Sequence, residues 1–178
     1  MIYEALKILI VEDDENDYIL LERQIRKIVD NPTIVRVIYF SDFTKAFETL
    51  HPDIIISDYK LKDCDGLEIL EHTISKRPDI TFLFVTGTFK NEQIAENTIL
   101  SGATGYILKK DINTMNVKLL PYFTDVVSKK ESSIDSTQKH FINSVHEFVV
   151  EAKKNSYLHS QSCEQIRNYL NSLENRKT

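Results

Sequence analysis

Asp58 closes a run of three isoleucines, residues 54–56, within the stretch DIIISDYKLKDCDG. Three consecutive β-branched apolar residues read as a short strand buried on both faces. An unpaired carboxylate inside a core is costly, so Asp58 is expected to face a crevice instead. Other polar groups close other apolar runs. Glu12 and Asp13 follow residues 6–11, Thr86 follows residues 80–85, and Lys109 follows residues 106–108. Three clustered carboxylates repel one another unless a cation sits among them. Oxygen ligands favour a hard ion, and Mg²⁺ commonly takes one or two carboxylates with waters and phosphate oxygens. A hydroxyl at Thr86 and an amine at Lys109 suit a phosphoryl group. The simplest chemistry is attack of the Asp58 carboxylate on phosphorus, giving an acyl phosphate, with Mg²⁺ and Lys109 balancing the transferring oxygens.

The elements needed to hold these groups are legible. Tyr18, Leu21, Ile25, Ile28 and Val29 recur at helical spacing after the first strand, and Asn31-Pro32 stops that helix. A second strand is expected at residues 34–38, with Arg36 in its middle pointing to a sheet edge. Phe43, Ala46, Phe47 and Leu50 mark a second helix. Leu67, Leu70 and Ile74 mark a third, and a fourth is expected at residues 91–100 with Gly102 as its C-cap. A fifth helix is expected to start near Lys118, because Pro121 is best tolerated in a first turn. Strict β-α alternation calls for a doubly wound parallel sheet with helices on both faces. For strand order 2-1-3-4-5 the ligand crevice lies beyond the carboxyl ends of the strands, between the first and third.

The chain has 178 residues, 42% hydrophobic and 28% charged. That length allows one well-buried domain plus an appendage. Residues 1–121 carry a net charge of −6 and residues 122–178 of +1, so neither part has the basic face of a nucleic-acid binder. No apolar run reaches membrane-spanning length, and a cytoplasmic location is expected. Cys64 and Cys163 lie far apart and form no metal-ligand spacing; free thiols are expected, and Cys64 reads as incidental.

Residues 6–128 resemble the receiver domain of two-component response regulators. ILIVEDDEND resembles the family's first-strand acidic motif, and SDYKLKDCDGLEIL its phosphoacceptor motif, with Asp65-Gly66 at the usual distance. FVTGT resembles the hydroxyl motif and GATGYILKK the lysine motif. The resemblance implies the flavodoxin-like version of the α/β fold. It implies Asp58 as phosphoacceptor and Mg²⁺ held by Asp13, Asp58 and the backbone carbonyl of Lys60, with Glu12 orienting metal-bound water. Thr86 and Lys109 would hold the phosphoryl group, and Tyr106 would pack inward when Thr86 is drawn to it. The chain departs from the family at Lys62 and Lys110, where proline is common, and at Gly87, where alanine is frequent. Without a proline at 110, the Lys109–Lys110 bond is expected to be trans.

The expected organisation is a receiver at 1–128, a linker or frayed helix end at 129–136 and a two-helix extension at 137–178. Phe141, Val145, Phe148, Val149 and Ala152 form one apolar stripe; Ile166, Tyr169, Leu170 and Leu173 form another. Asp135 with Gln138, and Ser162 with Gln165, have capping-box spacing. Two such helices in some 40 residues cannot bury both stripes alone. Docking on the receiver, homodimerisation and partner binding all remain open. His140 and His146 read as solvated helix-face residues.

The function expected is a switch rather than an enzyme. It would accept a phosphoryl group from a histidine kinase or a histidine phosphotransfer protein and lose it slowly. Its message would pass through the face of the fourth helix, fifth strand and fifth helix to the C-terminal helices. One alternative is a Mg²⁺-dependent phosphohydrolase with an aspartyl-phosphate intermediate. Phosphatases of the haloacid-dehalogenase type need a second Asp two residues after the nucleophile, where this chain has Lys60. Another alternative is an inert receiver-like binding module.

Overall fold

The computed structural model describes residues 1–87, 98–154 and 168. Five strands, β1 (Lys7–Val11), β2 (Thr33–Val37), β3 (Ile54–Ser57), β4 (Thr81–Thr86) and β5 (Gly105–Leu108), form one parallel sheet in the order β2-β1-β3-β4-β5. Helices α1 (Glu15–Ile25), α2 (Phe40–Leu50) and α3 (Gly66–Lys76) alternate with the first four strands. Residues 98–100, helical, are the described end of α4, and residues 88–97 lie outside the described set. A 3₁₀ turn, Lys109–Thr114, follows β5 and leads into α5 (Met115–Lys154).

This is the doubly wound α/β architecture expected, and its strands show why they must be so apolar. Along β1, Ile8 and Ile10 face one core with Leu21 and Phe123, while Leu9 and Val11 face another with Phe43 and Leu70. Helices cover both faces, so alternate side chains enter different cores and neither set can be polar. Each fully buried Leu, Ile or Phe contributes about 1.5–3 kcal/mol relative to exposure. β2 is an edge strand, as Arg36 suggested.

The register brings the polar ends into line. Val11 pairs with Ser57, and Thr86 with Leu108, so Glu12, Asp58, Thr86 and Lys109 gather at one edge. The Asp58 amide donates to the Val11 carbonyl at 2.9 Å, tying the end of β3 to that of β1. Gly102 caps α4 with φ of 101°, as its position suggested. No peptide bond among the described residues is cis, so Lys109–Lys110 is trans.

Three expectations need correction. α1 ends at Ile25; Ile28 and Val29 are buried beyond it in a turn, where Val29 pairs with Ile2 in an isolated parallel bridge. Their apolar character reports burial, not helix. α5 starts at Met115 rather than near Lys118, placing Pro121 inside the helix. An internal proline costs about 3 kcal/mol or more. Buried Met115, Leu119, Phe123 and Val126 anchor this stretch and offset that cost.

Residues 129–136, expected as a linker or a frayed helix end, continue α5 as regular helix. They hold no Gly or Pro, and their hydroxyls turn back onto the helix: Ser133 Oγ donates to the Lys130 carbonyl at 2.9 Å and Ser136 Oγ to that of Ser133 at 2.8 Å. Serine is thus satisfied within the helix instead of breaking it.

The chain divides into two compact units, Met1–Ser128 and Lys129–Thr178. In the second, Ile134, Phe141 and His146 are exposed. Ile166, Tyr169, Leu170, Leu173, Cys163 and the pair Ser162–Gln165 lie outside the described residues.

Candidate functional site

The acidic triplet after β1 divides its work. Asp14 is the N-cap of α1: its Oδ1 accepts from the amides of Asn16 at 2.9 Å and Asp17 at 3.0 Å. Those bonds, the Asp17 amide first, hold its carboxyl below the usual range. Glu12 and Asp13 are left to the crevice. Carboxylate oxygens of Glu12, Asp13 and Asp58 lie within 4.8 Å of one another. An all-oxygen cluster of this kind fits a hard divalent ion such as Mg²⁺.

Lys109 reaches into the same crevice. Its Nζ lies 2.7 Å from Asp58 Oδ2, 2.8 Å from Glu12 Oε2 and 2.7 Å from Asp17 Oδ2. An ammonium has three protons, and each is directed at a carboxylate. Burial by itself would lower the Lys109 pKa, but bonds to Asp17, Asp58 and Glu12 reverse this and raise it above the lysine range. Glu12 is 1% exposed. Burial pushes its pKa from 4.5 to about 7, with the Asp58 charge adding to that and Lys109 opposing it. Glu12 therefore titrates near neutrality, unlike an ordinary carboxyl.

The remaining contacts of Asp58 come from its own loop. Its Oδ1 accepts from the amides of Tyr59 at 2.6 Å and Lys60 at 3.3 Å. The turn is closed by a bridge between Lys60 and Asp65 and by the Gly66 amide donating to the Tyr59 carbonyl at 2.9 Å. Gly66 is required there: a Cβ would stand 2.5 Å from the Asp58 carbonyl oxygen and 2.7 Å from Phe84 Cε1.

Thr86 ends β4, buried, opposite the residue that precedes Lys109. Tyr106 lies on β5 and is 41% exposed. Cys64 sits in the loop after Asp58, and burial together with Asp63 pushes its thiol up to about 12. A thiol so held is protonated and a poor nucleophile.

Sequence reading missed two residues. Asp17 was indistinguishable from any acid in a helix's first turn; its distance from Lys109 in sequence, 92 positions, hides the contact. Arg36 does more than mark the sheet edge. Its guanidinium donates to the carbonyls of Glu12 at 2.8 Å and Asp13 at 3.2 Å, pairs with Glu15, and lies 4.9 Å over the Tyr18 ring. It clamps the loop that carries both acids.

The family model described as "Response regulator receiver domain" matches residues 8–119. A protein-glutamate methylesterase/protein-glutamine glutaminase of Saccharophagus degradans is 28% identical over 59% of this chain and 29% of its own length. The DNA-binding transcriptional activator DevR/DosR of Mycobacterium tuberculosis is 33% identical over 37% of this chain and 30% of its own length. The chain thus spans about 30% of the length of these curated relatives. Among solved structures, a CheY-like response regulator receiver domain protein from Methanospirillum hungatei shares the fold with a TM-score of 0.61 at 20% identity, over 71% of this chain and 99% of that one.

Proposed function

The chain belongs to the response regulator receiver domain family, and from that membership we propose that it is a two-component signalling switch phosphorylated on Asp58. The observation that carries this reading is the 2.7 Å contact between Lys109 Nζ and Asp58 Oδ2 at the end of a buried strand. A fixed ammonium beside a carboxylate nucleophile favours charge that develops on transferring phosphoryl oxygens.

The donor is a phosphohistidine of a histidine kinase or a histidine phosphotransfer protein. A carboxylate oxygen of Asp58 attacks phosphorus. The phosphorus–nitrogen bond breaks, and the imidazole leaves with the electron pair. Lys109 and Thr86 hold the transferred oxygens. Asp13, Asp58 and the Lys60 carbonyl would hold Mg²⁺, with Glu12 orienting its water. When bound, Mg²⁺ neutralises charge on the phosphoryl oxygens during transfer.

The readout is a change in protein contacts. A phosphoryl group adds about −1.5 to −2 charge and three acceptor oxygens. Thr86 moves toward them and vacates space that Tyr106, now partly exposed, fills. This biases the α4–β5–α5 face between two states close in energy. Residues 137–178 form the extension that receives the signal, in a homodimer or with a protein partner. The chain works in the cytoplasm as a switch, without turnover of its own beyond slow loss of the phosphoryl group.

Incubation with Mg²⁺ and a small phosphodonor tests the reading. One phosphoryl group per chain that persists and then decays slowly supports a switch. Release of phosphate over many turnovers would favour a phosphohydrolase, and no modification at all an inert binding module.

A further inference from the structure

Lys62 lies in the loop between β3 and α3, and its Nζ sits 3.3 Å from Asp13 Oδ2. Its side chain is 72% exposed, whereas that of Asp13 is 14% exposed. The backbone beneath it is fixed by the Lys60–Asp65 bridge and by the Phe40 amide, which donates to Asp63 Oδ2 at 3.1 Å. The stem is therefore anchored while the charged head reaches from solvent over the crevice. Lys109 already holds Glu12 and Asp58. Between them, two lysines put an ammonium against every member of the acidic cluster.

We propose that Lys62 is a displaceable internal cation that competes with a divalent metal ion for Asp13 and so raises the Mg²⁺ concentration at which the site fills. This rests on reading Glu12, Asp13 and Asp58 as a metal site. A divalent ion on Asp13 and an ammonium 3.3 Å from the Oδ2 of the same carboxylate repel each other in a half-buried pocket. Filling the site therefore favours departure of Lys62. The lysine can leave cheaply because its head is mostly in water, where a salt bridge has little net worth. That makes it a threshold and not a block. Lys109 is 13% exposed and triply bonded, and is not displaceable in this way.

The test is titration of Mg²⁺ into the whole chain without phosphodonor, followed by calorimetry and by amide chemical shifts of residues 11–14. Lys62→Ala should tighten Mg²⁺ binding about two- to fivefold, and the difference from the parent should shrink as salt is raised. Lys62→Arg, which keeps the charge, should stay close to the parent. Lys76→Ala removes the same charge from an exposed site at the end of α3 and should change nothing. Unaltered or weaker binding in Lys62→Ala would overturn the proposal alone, as would equal tightening in Lys76→Ala. Absence of Mg²⁺ binding from the parent and Lys62→Ala alike would overturn the metal site as well.

Discussion

Lys109 Nζ lies as close to Asp17 Oδ2 as to Asp58 Oδ2, 2.7 Å in each case. The lysine is therefore held from α1 as well as from β3, and its amine has a fixed position even though Lys110 follows it in place of a rigid proline. Asp17→Ala should cost about 1 kcal/mol of unfolding free energy, the usual worth of a hydrogen bond that water partly reaches. The same substitution in a Lys109→Met background should cost almost nothing, since the partner is gone. Urea unfolding of the four proteins measures this. Equal losses in both backgrounds would mean that Asp17 acts elsewhere.

Arg36 should matter more than an edge-strand arginine ordinarily does. Arg36→Lys keeps the charge but loses the fork that spans the Glu12 and Asp13 carbonyls. About 2 kcal/mol of stability should be lost, together with a several-fold weakening of Mg²⁺ binding as the two acids lose their fixed spacing. Denaturation and Mg²⁺ titration read the two effects separately. Unchanged Mg²⁺ affinity in a destabilised variant would reduce Arg36 to a purely structural role.

Stability should carry the mark of Glu12. Its folded pKa is about 7 against 4.5 unfolded, so between those values the folded chain binds more protons than the unfolded one. Stability from this group is full below pH 4.5 and is lost as pH rises to about 7, a fall of about 3 kcal/mol. Glu12→Gln should lack that fall. Urea unfolding in excess chelator across this window, parent against variant, measures the difference; parallel curves would refute the assignment.

The phosphoacceptor loop leaves no room at Gly66. Gly66→Ala would push a methyl group against the Asp58 carbonyl, which is backbone and cannot swing away. A loss of about 1–3 kcal/mol is expected, with slower phosphorylation because Asp58 itself must shift. Wild-type stability in that variant, by thermal or urea unfolding, would show that the loop yields freely.

Much of this was legible because strands and their polar ends are local signals. Residues 54–56 announce a buried strand without reference to anything else, and Asp58 follows directly. Glu12, Asp58, Thr86 and Lys109 could be brought together by topology alone, since parallel strands in a doubly wound sheet end on one side. What escaped has no local signature. Asp17 and Arg36 act through contacts that span 92 and 24 residues in sequence. Ile28 and Val29 kept a helical period past the end of α1 because a bridge to Ile2 buries them. Residues 129–136 looked like a break because serine is read as a loop former, whereas here its hydroxyls bond back within α5.

The role of Asp58 can be tested most directly by intact mass and peptide mapping of the parent chain and Asp58→Asn, each incubated with Mg²⁺ and a small phosphodonor. The parent should gain a single phosphoryl group, mapped to the peptide that contains Asp58. Asp58→Asn, and the parent in excess chelator, should gain none. A phosphoryl group on the variant, or undiminished modification without Mg²⁺, would contradict the assignment of Asp58 as the acceptor in a metal-dependent transfer.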